Sequence, residues 1–517
     1  MSLLRAAATV GGYTMVSRVL GFFRDQLIAA ALGTGPVSDA FFVALRLPNM
    51  FRTLFAEGAF STAFVPVFTR KLAQDGPAGA KRYAEDALSL LLAGLLLTLL
   101  LAEAFMPWLV PVIAPGFTKN AGQFDLAVAL TRITFPYLLF IALASLQGGI
   151  LNSLNRFAAA AITPALLNVF QIGAVFWSWR YGSAAEALSW CVTAGGVAQF
   201  LWLMVSCARV GMALRLHWPK LSVEMRRLGG LMLPGVFGAG ITQINLLVST
   251  AIASTLPTGS VSYLQYGDRV NQLPLAVIGI AVGTAILPTL SRRLQQDDEA
   301  GAIQTQNRGL ELALLLTLPA AAALSVIAEP IFAVLFQHGH FDTASAQGSA
   351  GALAAYAWGL PAFVAIKVLV PGFYARHDTQ TPVKIGAVAI AVNIVLTLIL
   401  SGPFLHIGNA MATTIAGWVN ALALGWLLAR KGHFMLDQRS RRRIPRIFGA
   451  SFAMALVLGF ASHLLATPLH GPSLALQAAA LAGLIGLGLV TYAAAALAFG
   501  AGSLAELKAT FRRRQAA

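Results

Sequence analysis

Charged side chains are scarce in this chain of 517 residues: only 11% are Asp, Glu, Lys or Arg, and 57% are hydrophobic. Soluble globular domains contain about 25% charged residues. The low content therefore argues against an ordinary soluble domain.

Several chemical signatures are also missing. The only two cysteines, Cys191 and Cys207, lie sixteen residues apart in one apolar segment, too far along a helix for a disulfide. The eight histidines are scattered without the spacing of a metal site. No phosphate-binding P-loop is found. We therefore expect no metal centre, no cofactor and no ATP hydrolysis.

Long apolar runs dominate what is present, and no series of short alternating strands is found. A helix needs about 20 apolar residues to cross a bilayer. The pattern predicts an all-α polytopic membrane protein rather than a β-barrel. About fourteen transmembrane helices are expected, near 5–32, 36–69, 84–112, 126–154, 157–179, 185–208, 225–256, 262–291, 309–336, 346–375, 383–402, 408–429, 446–467 and 474–500.

The net charge of +16 is distributed unevenly among the predicted loops. Of the 36 Lys and Arg, 27 lie in the termini, in the even-numbered loops or at the span ends that border them, two lie in the odd-numbered loops, and seven lie deeper within spans. This asymmetry predicts that both termini are cytoplasmic. It also favours contact with anionic membrane lipids over binding of nucleic acid.

The chain repeats itself at an offset near 224 residues. Thr62–Arg70 resembles Thr284–Arg292, Leu47-Pro48 matches Leu273-Pro274, and Phe135-Pro136 matches Leu360-Pro361. The duplication predicts two six-helix lobes, at 1–220 and 221–440. Because six is even, a pseudo-two-fold axis along the membrane normal relates the lobes. Two additional helices and a basic tail, 441–517, follow.

Ionisable residues are concentrated in the first two predicted spans. A charge inside a bilayer costs about 3 kcal/mol on insertion scales, so these residues suggest a hydrated cavity rather than a plain anchor. Arginine suits an anionic ligand because its planar fork stays charged and donates two parallel hydrogen bonds to phosphate or carboxylate. The residues are Arg18, Arg24, Asp25, Asp39, Arg46, Arg52 and Glu57.

Long motifs over about residues 1–440 resemble the MurJ (MviN) family of lipid II flippases, within the multidrug/oligosaccharidyl-lipid/polysaccharide exporter superfamily. They are Ser17–Asp25, Asp39–Ala44, Leu47–Asn49, Phe55–Phe60, Ala63–Pro66, Ala114–Phe117, Leu151-Asn152, Asn155–Phe157, Asp268-Arg269, Pro371–Tyr374 and Thr381–Lys384.

The resemblance implies movement of lipid-linked peptidoglycan precursor from the cytoplasmic to the periplasmic leaflet of the bacterial inner membrane. It implies that Arg18, Arg24, Arg52 and Arg269 are cavity arginines that bind lipid II. It also implies polar neighbours at Asp39, Asn49 and Asp268. Some members carry an acid where this chain has Gln272, which leaves open any role that needs a negative charge there.

Other roles stay open at this stage. The arginines either bind substrate or pair with Asp25 and Asp39. Asp39 belongs to an outer gate or neutralises an arginine. Glu57 pairs with Arg46, or else binds a cation or proton.

Three further polar positions lie within later spans. Lys367 faces either the cavity or its surroundings. Asn393 and Thr397, one turn apart, form a weak Na⁺ candidate. Asn168 is expected to be an interhelical hydrogen bonder rather than a ligand.

Alternating access between the lobes is the expected mechanism, with an unknown coupling ion. One rival is an ion-coupled exporter of drugs or of another polyprenyl-linked sugar. A second is a non-transporting scaffold for envelope synthesis. Peptidoglycan synthesis proteins are possible partners.

Overall fold

The computed structural model describes residues 3–54, 60–469, 471 and 473–502, with side chains described from residue 11 onward apart from positions 181, 234, 236–239, 241, 280–282, 284 and 285. Throughout these described ranges the chain is helical, with short turns, one longer non-helical connection at 210–222 and no β-strand. Glu57, which the sequence predicts to be a gate or pairing residue, lies outside them.

The first ten helices precede residue 260, and a 3₁₀ turn at Pro115–Lys119 joins α5 to α6. Their bounds are α1 Leu3–Leu32, α2 Pro36–Ala44, α3 Arg46–Phe51, α4 Phe60–Gln74, α5 Gly76–Ile113, α6 Ala121–Thr134, α7 Tyr137–Ser153, α8 Phe157–Tyr181, α9 Ala184–Arg209 and α10 Val223–Ser254.

The remaining helices are α11 Ser260–Gln295, α12 Glu299–Val326, α13 Ala328–Phe336, α14 Thr343–Ala357, α15 Leu360–Tyr374, α16 Gln380–Arg430, α17 Gln438–Leu464, α18 Ala466–Leu469 and α19 Leu474–Ala498. Each of the fourteen predicted spans coincides with one or more of these helices. The two spans predicted at 383–402 and 408–429 are joined in α16, whose backbone departs from helical geometry at Leu405.

Among the described residues, nine helices are long and apolar enough to cross a membrane. The chain is therefore a multi-pass, all-helical membrane protein, as predicted. These helices are Gly76–Ile113, Ala121–Ser153, Phe157–Arg180, Ala184–Arg209, Glu299–Val326, Thr343–Tyr374, Gln380–Arg430, Gln438–Leu464 and Leu474–Ala498.

Packing divides the chain into two compact units. Unit one comprises Met1–Val261 with His338–Phe341, and unit two comprises Ser262–Gln337 with Asp342–Ala517. Helix α10 packs within unit one, where Lys71 of α4 forms an ion pair with Glu224 at 2.5 Å. The packing boundary therefore follows α10, whereas the predicted lobe boundary precedes it. The sequence duplication, with lobes at 1–220 and 221–440 and an addition at 441–517, stays a prediction.

Pro48 breaks the second predicted span. A proline within a helix removes one N–H donor and displaces the carbonyl four residues earlier. That carbonyl belongs to Ala44, the last residue of α2, and it accepts a hydrogen bond from the buried Thr134 hydroxyl at 2.9 Å. The break in the span is thus stabilised by α6. Residues 52–54 then form a π-helical turn, a feature often found at functional sites.

The turn after α1 makes a close backbone contact with the four-residue segment of unit one at His338–Phe341. The His340 N–H donates to the Ala30 carbonyl at 2.8 Å. Gly33 and Gly339 both have positive φ. A Cβ on Gly33 would overlap the His340 carbonyl oxygen, and a Cβ on Gly339 would overlap the Ala30 carbonyl oxygen. Glycine is therefore required at both positions by conformation and by space.

A buried carboxylate joins α12 to α17 in unit two. Glu311 is only 3% exposed and pairs with Arg308, with Arg443 at 3.0 Å and with Arg439 at 3.6 Å. The Ser440 hydroxyl donates to it at 2.6 Å. Arg308 of α12 and the two arginines in the first turns of α17 thus share one internal counter-charge, which joins α17 to α12.

Removing that counter-charge is expected to destabilise unit two. Glu311→Gln leaves three arginines clustered around a neutral group. Breaking a buried ion pair from one side costs about 3–5 kcal/mol, and the lower end applies because two of the arginines are partly exposed. The midpoint of thermal unfolding in detergent should fall clearly, whereas exposed Glu329→Gln should leave it almost unchanged. Equal midpoints for the two variants would contradict this role.

Candidate functional site

Arg24 of α1 lies at the centre of a polar network within unit one. Its Nε and Nη2 donate to Asp25 Oδ1 at 3.1 and 2.6 Å. Its Nη1 donates to Asn168 Oδ1 at 2.8 Å and to Gln171 Oε1 at 3.1 Å. The side chains of Arg24 and Asp25 are 13% and 15% exposed. Of the two readings left open by the sequence, the ion pair with Asp25 is present in this conformation.

The other predicted charges of unit one lie on α1 and around the break in the second span. Arg18 is exposed, six residues before Arg24 on the same helix. Arg46 begins α3 and Arg52 follows it, and both are half-buried. Asn49, between them, is exposed. The break at Pro48 therefore determines where Arg46, Asn49 and Arg52 lie. Their positions cannot be derived by treating the second predicted span as one straight helix.

Asp39 is buried, with 2% of its surface exposed, in the first turn of α2. Its Oδ2 accepts a hydrogen bond from the Gly259 N–H at 2.7 Å. Gly259 lies in the turn after α10 and has a φ of +94°. A carboxylate that accepts a backbone N–H makes a strong, charge-assisted bond. Asp39 therefore joins the start of α2 to this turn within unit one, and its role as a gate residue stays a prediction.

In unit two, Asp268 and Arg269 are half-buried on α11. The Gln272 amide donates to Asp268 Oδ2 one helical turn away. A neutral donor therefore stands where some relatives of this chain were expected to carry an acid. Here the local requirement is a hydrogen-bond donor to Asp268, which an unprotonated acid does not provide.

Lys367 of α15 lies across Gly279 of α11, also within unit two. A Cβ added to Gly279 would lie 2.5 Å from the Lys367 ammonium nitrogen, so the glycine leaves the space that the lysine occupies. The Lys367 side chain is exposed. Its predicted role toward a substrate stays a prediction.

The Na⁺ candidates are both buried on α16, with Asn393 2% and Thr397 0% exposed. Their spacing places them on one helix face. Within the described ranges no cluster of three His, Cys, Asp or Glu could hold a metal ion. Sodium binding at this pair stays a prediction.

Two amides of α8 contact Arg24, and the sequence analysis names only one of them. Asn168 was expected to be an interhelical hydrogen bonder, and its Nδ2 indeed donates to the Ser17 carbonyl at 2.8 Å. Gln171 was not singled out. The available signal was its spacing of three residues from Asn168 in an apolar span, because buried amides on one helix face need polar partners.

Comparison with known proteins places the chain in a family. The family model described as "Lipid II flippase MurJ" matches residues 28–478. The chain belongs to the lipid II flippase MurJ family. This family consists of transporters, not enzymes.

Curated relatives cover nearly the whole chain. A probable lipid II flippase MurJ of Rhizobium meliloti is 44% identical over 99% of this chain and 97% of its own length. The lipid II flippase MurJ of Burkholderia cenocepacia is 37% identical, with coverages of 88% and 89%.

Solved structures of the same family resemble this chain, and so does the fold of a more distant transporter group. A structure titled "Lipid II flippase MurJ, inward closed conformation" is 26% identical, covers 95% of this chain and 98% of its own, and has a TM-score of 0.79. An inward-facing MATE transporter of the MOP superfamily is 15% identical, covers 83% of this chain and 98% of its own, and has a TM-score of 0.68, a likeness of fold alone.

Asp39 provides a test of the α2 contact. Asp39→Ala leaves the Gly259 N–H without its acceptor, at a cost of about 1–3 kcal/mol, and Asp39→Asn keeps an acceptor oxygen. We expect the unfolding midpoint to fall in the order wild type, Asn, Ala. Exposed Asp125→Ala of α6 is the control. If Asp39→Ala were as stable as this control, the contact between Asp39 and Gly259 would contribute nothing to the stability of the fold.

Proposed function

We propose that this protein moves lipid II, the polyprenyl-diphosphate-linked peptidoglycan precursor, from the cytoplasmic to the periplasmic leaflet of the bacterial inner membrane. Relatives that match almost the full chain bear the name lipid II flippase. We further propose that both termini are cytoplasmic, as the distribution of Lys and Arg predicts. The product would serve cell wall synthesis.

The Arg24 site supports this proposal most directly. Lipid II carries a diphosphate and peptide carboxylates, so its headgroup is large and anionic. Arg24 is a permanent cation with two of its donor groups engaged by a single carboxylate oxygen of Asp25. A diphosphate offers the same hydrogen-bonding pattern with more negative charge, and it can therefore displace that carboxylate.

Alternating access is the proposed mode of transport. Arg18, Arg24, Arg52 and Arg269 would bind the headgroup while the polyprenyl tail remains in lipid. Asp39, through its bond to Gly259, would stabilise one of the alternating states. A non-transporting scaffold would have no use for charges placed at this energetic cost. An exporter of cationic drugs would favour acids over arginines in its binding site.

Leaflet transfer in proteoliposomes tests the function. Wild-type protein should transfer lipid II faster than an unrelated polyprenyl-diphosphate sugar. Single Arg→Ala changes at positions 18, 24, 52 and 269 should each reduce transfer at least tenfold, since one charge-assisted hydrogen bond is worth about 1.5–3 kcal/mol. Arg→Lys variants should also transfer lipid II slowly at each position where the arginine must donate two parallel hydrogen bonds.

Exposed Arg82→Ala, at the start of α5, is the matched control and should transfer normally. Equal transfer of both lipids by wild type would favour a broader polyprenyl-sugar exporter. Absence of transfer by correctly inserted wild type would favour a scaffold. Normal transfer by all four arginine variants would contradict the proposed binding site.

A further inference from the structure

The guanidinium of Arg24 has two kinds of partner, and they differ in charge. Asp25 is a carboxylate on the same helix, next in sequence. Asn168 and Gln171 are neutral amides on α8, 5% and 3% exposed. A spacing of three residues places both amides on the same face of α8. One partner neutralises the arginine, whereas the other two solvate it and leave its charge intact.

The orientation of the Asn168 amide is fixed by the surrounding network. Its Nδ2 donates to the Ser17 carbonyl at 2.8 Å, and only the nitrogen of the amide can donate there. The oxygen must therefore face Arg24. Gly21 of α1 lies beside this amide, since a Cβ at that position would be in ordinary van der Waals contact with Nδ2 at 3.5 Å.

The two edges of the guanidinium are thereby used differently. Nη1 donates to the amide oxygens of two buried residues. The Nε and Nη2 edge faces Asp25, at a site that is partly exposed. This second edge is the one from which arginine donates two parallel hydrogen bonds to a carboxylate or phosphate.

We propose that Asn168 and Gln171 are positioning residues for substrate binding. They hold Nη1 of Arg24 while its Nε and Nη2 edge exchanges Asp25 for the anionic headgroup of the substrate. Neutral amides are required here because a second fixed carboxylate would compete with the incoming anion. This inference rests on the proposed function and deepens it.

Adding a carboxylate at the amide position tests the inference. Asn168→Asp places a second acid beside Nη1 with little change of shape. We would measure the binding of lipid II to the purified protein in detergent by the intrinsic fluorescence of the protein. The affinity should fall at least about tenfold, because one charge-assisted interaction between Arg24 and the headgroup is lost. The unfolding midpoint should fall only modestly, because the new ion pair with Arg24 offsets the loss of the Nδ2 donor to the Ser17 carbonyl. Asn120→Asp, which adds the same charge at the exposed N-cap of α6 and keeps the cap, should bind normally.

A charge exchange separates positioning from simple packing. The double variant D25N/N168D returns the site to one carboxylate and two amides, with the acid moved from α1 to α8. Its lipid II affinity should recover to within about threefold of wild type, because the net charge around Arg24 is restored. A residue that serves only to pack α1 against α8 would give no such recovery.

Two patterns of failure can be told apart. If wild type neither binds nor transfers lipid II, the proposed function fails and the inference fails with it. If wild type binds lipid II but Asn168→Asp binds equally well, or if the double variant is no better than Asn168→Asp, the positioning role alone is overturned.

Discussion

One requirement governs this protein: guanidinium groups must be kept charged inside helices that are otherwise apolar. Arg24 meets it with a carboxylate from its own helix and two buried amides from α8. Because unsatisfied charge is so costly in a membrane, the packing of α1 against α8 and the chemistry of the site cannot vary independently. The same groups that stabilise the fold also determine which edge of the arginine an anion can reach.

Breaks in helical geometry place the remaining polar groups. Pro48 leaves the Ala44 carbonyl without its helical N–H donor, and the Thr134 hydroxyl donates to that carbonyl instead. The chain changes direction at this break, between α2 and Arg52. Asp39 in turn binds the Gly259 N–H, so the start of α2 is joined to the turn after α10. Each break is stabilised by a side chain from another helix. Local irregularity in the first half of the protein is therefore tied to tertiary contacts.

The sequence predicted the helices well because each span is a continuous apolar run with polar or Gly/Pro boundaries. It did not identify Gln171 as a partner of Arg24, or Gln272 as a donor to Asp268. Such pairings depend on how helices rotate and pack, which hydropathy leaves undetermined. The break at Leu405 within α16 falls in the gap between the spans predicted at 383–402 and 408–429, so local sequence did predict it.

A structure of the protein with lipid II bound would test the central claim most directly. The measurement is the set of distances around Arg24. The account predicts that Asn168 and Gln171 stay in contact with Nη1 and that Asp25 moves away. A diphosphate oxygen should take its place at about 2.7–2.9 Å from Nε and Nη2. A bound headgroup elsewhere, with Asp25 still paired to Arg24, would contradict it.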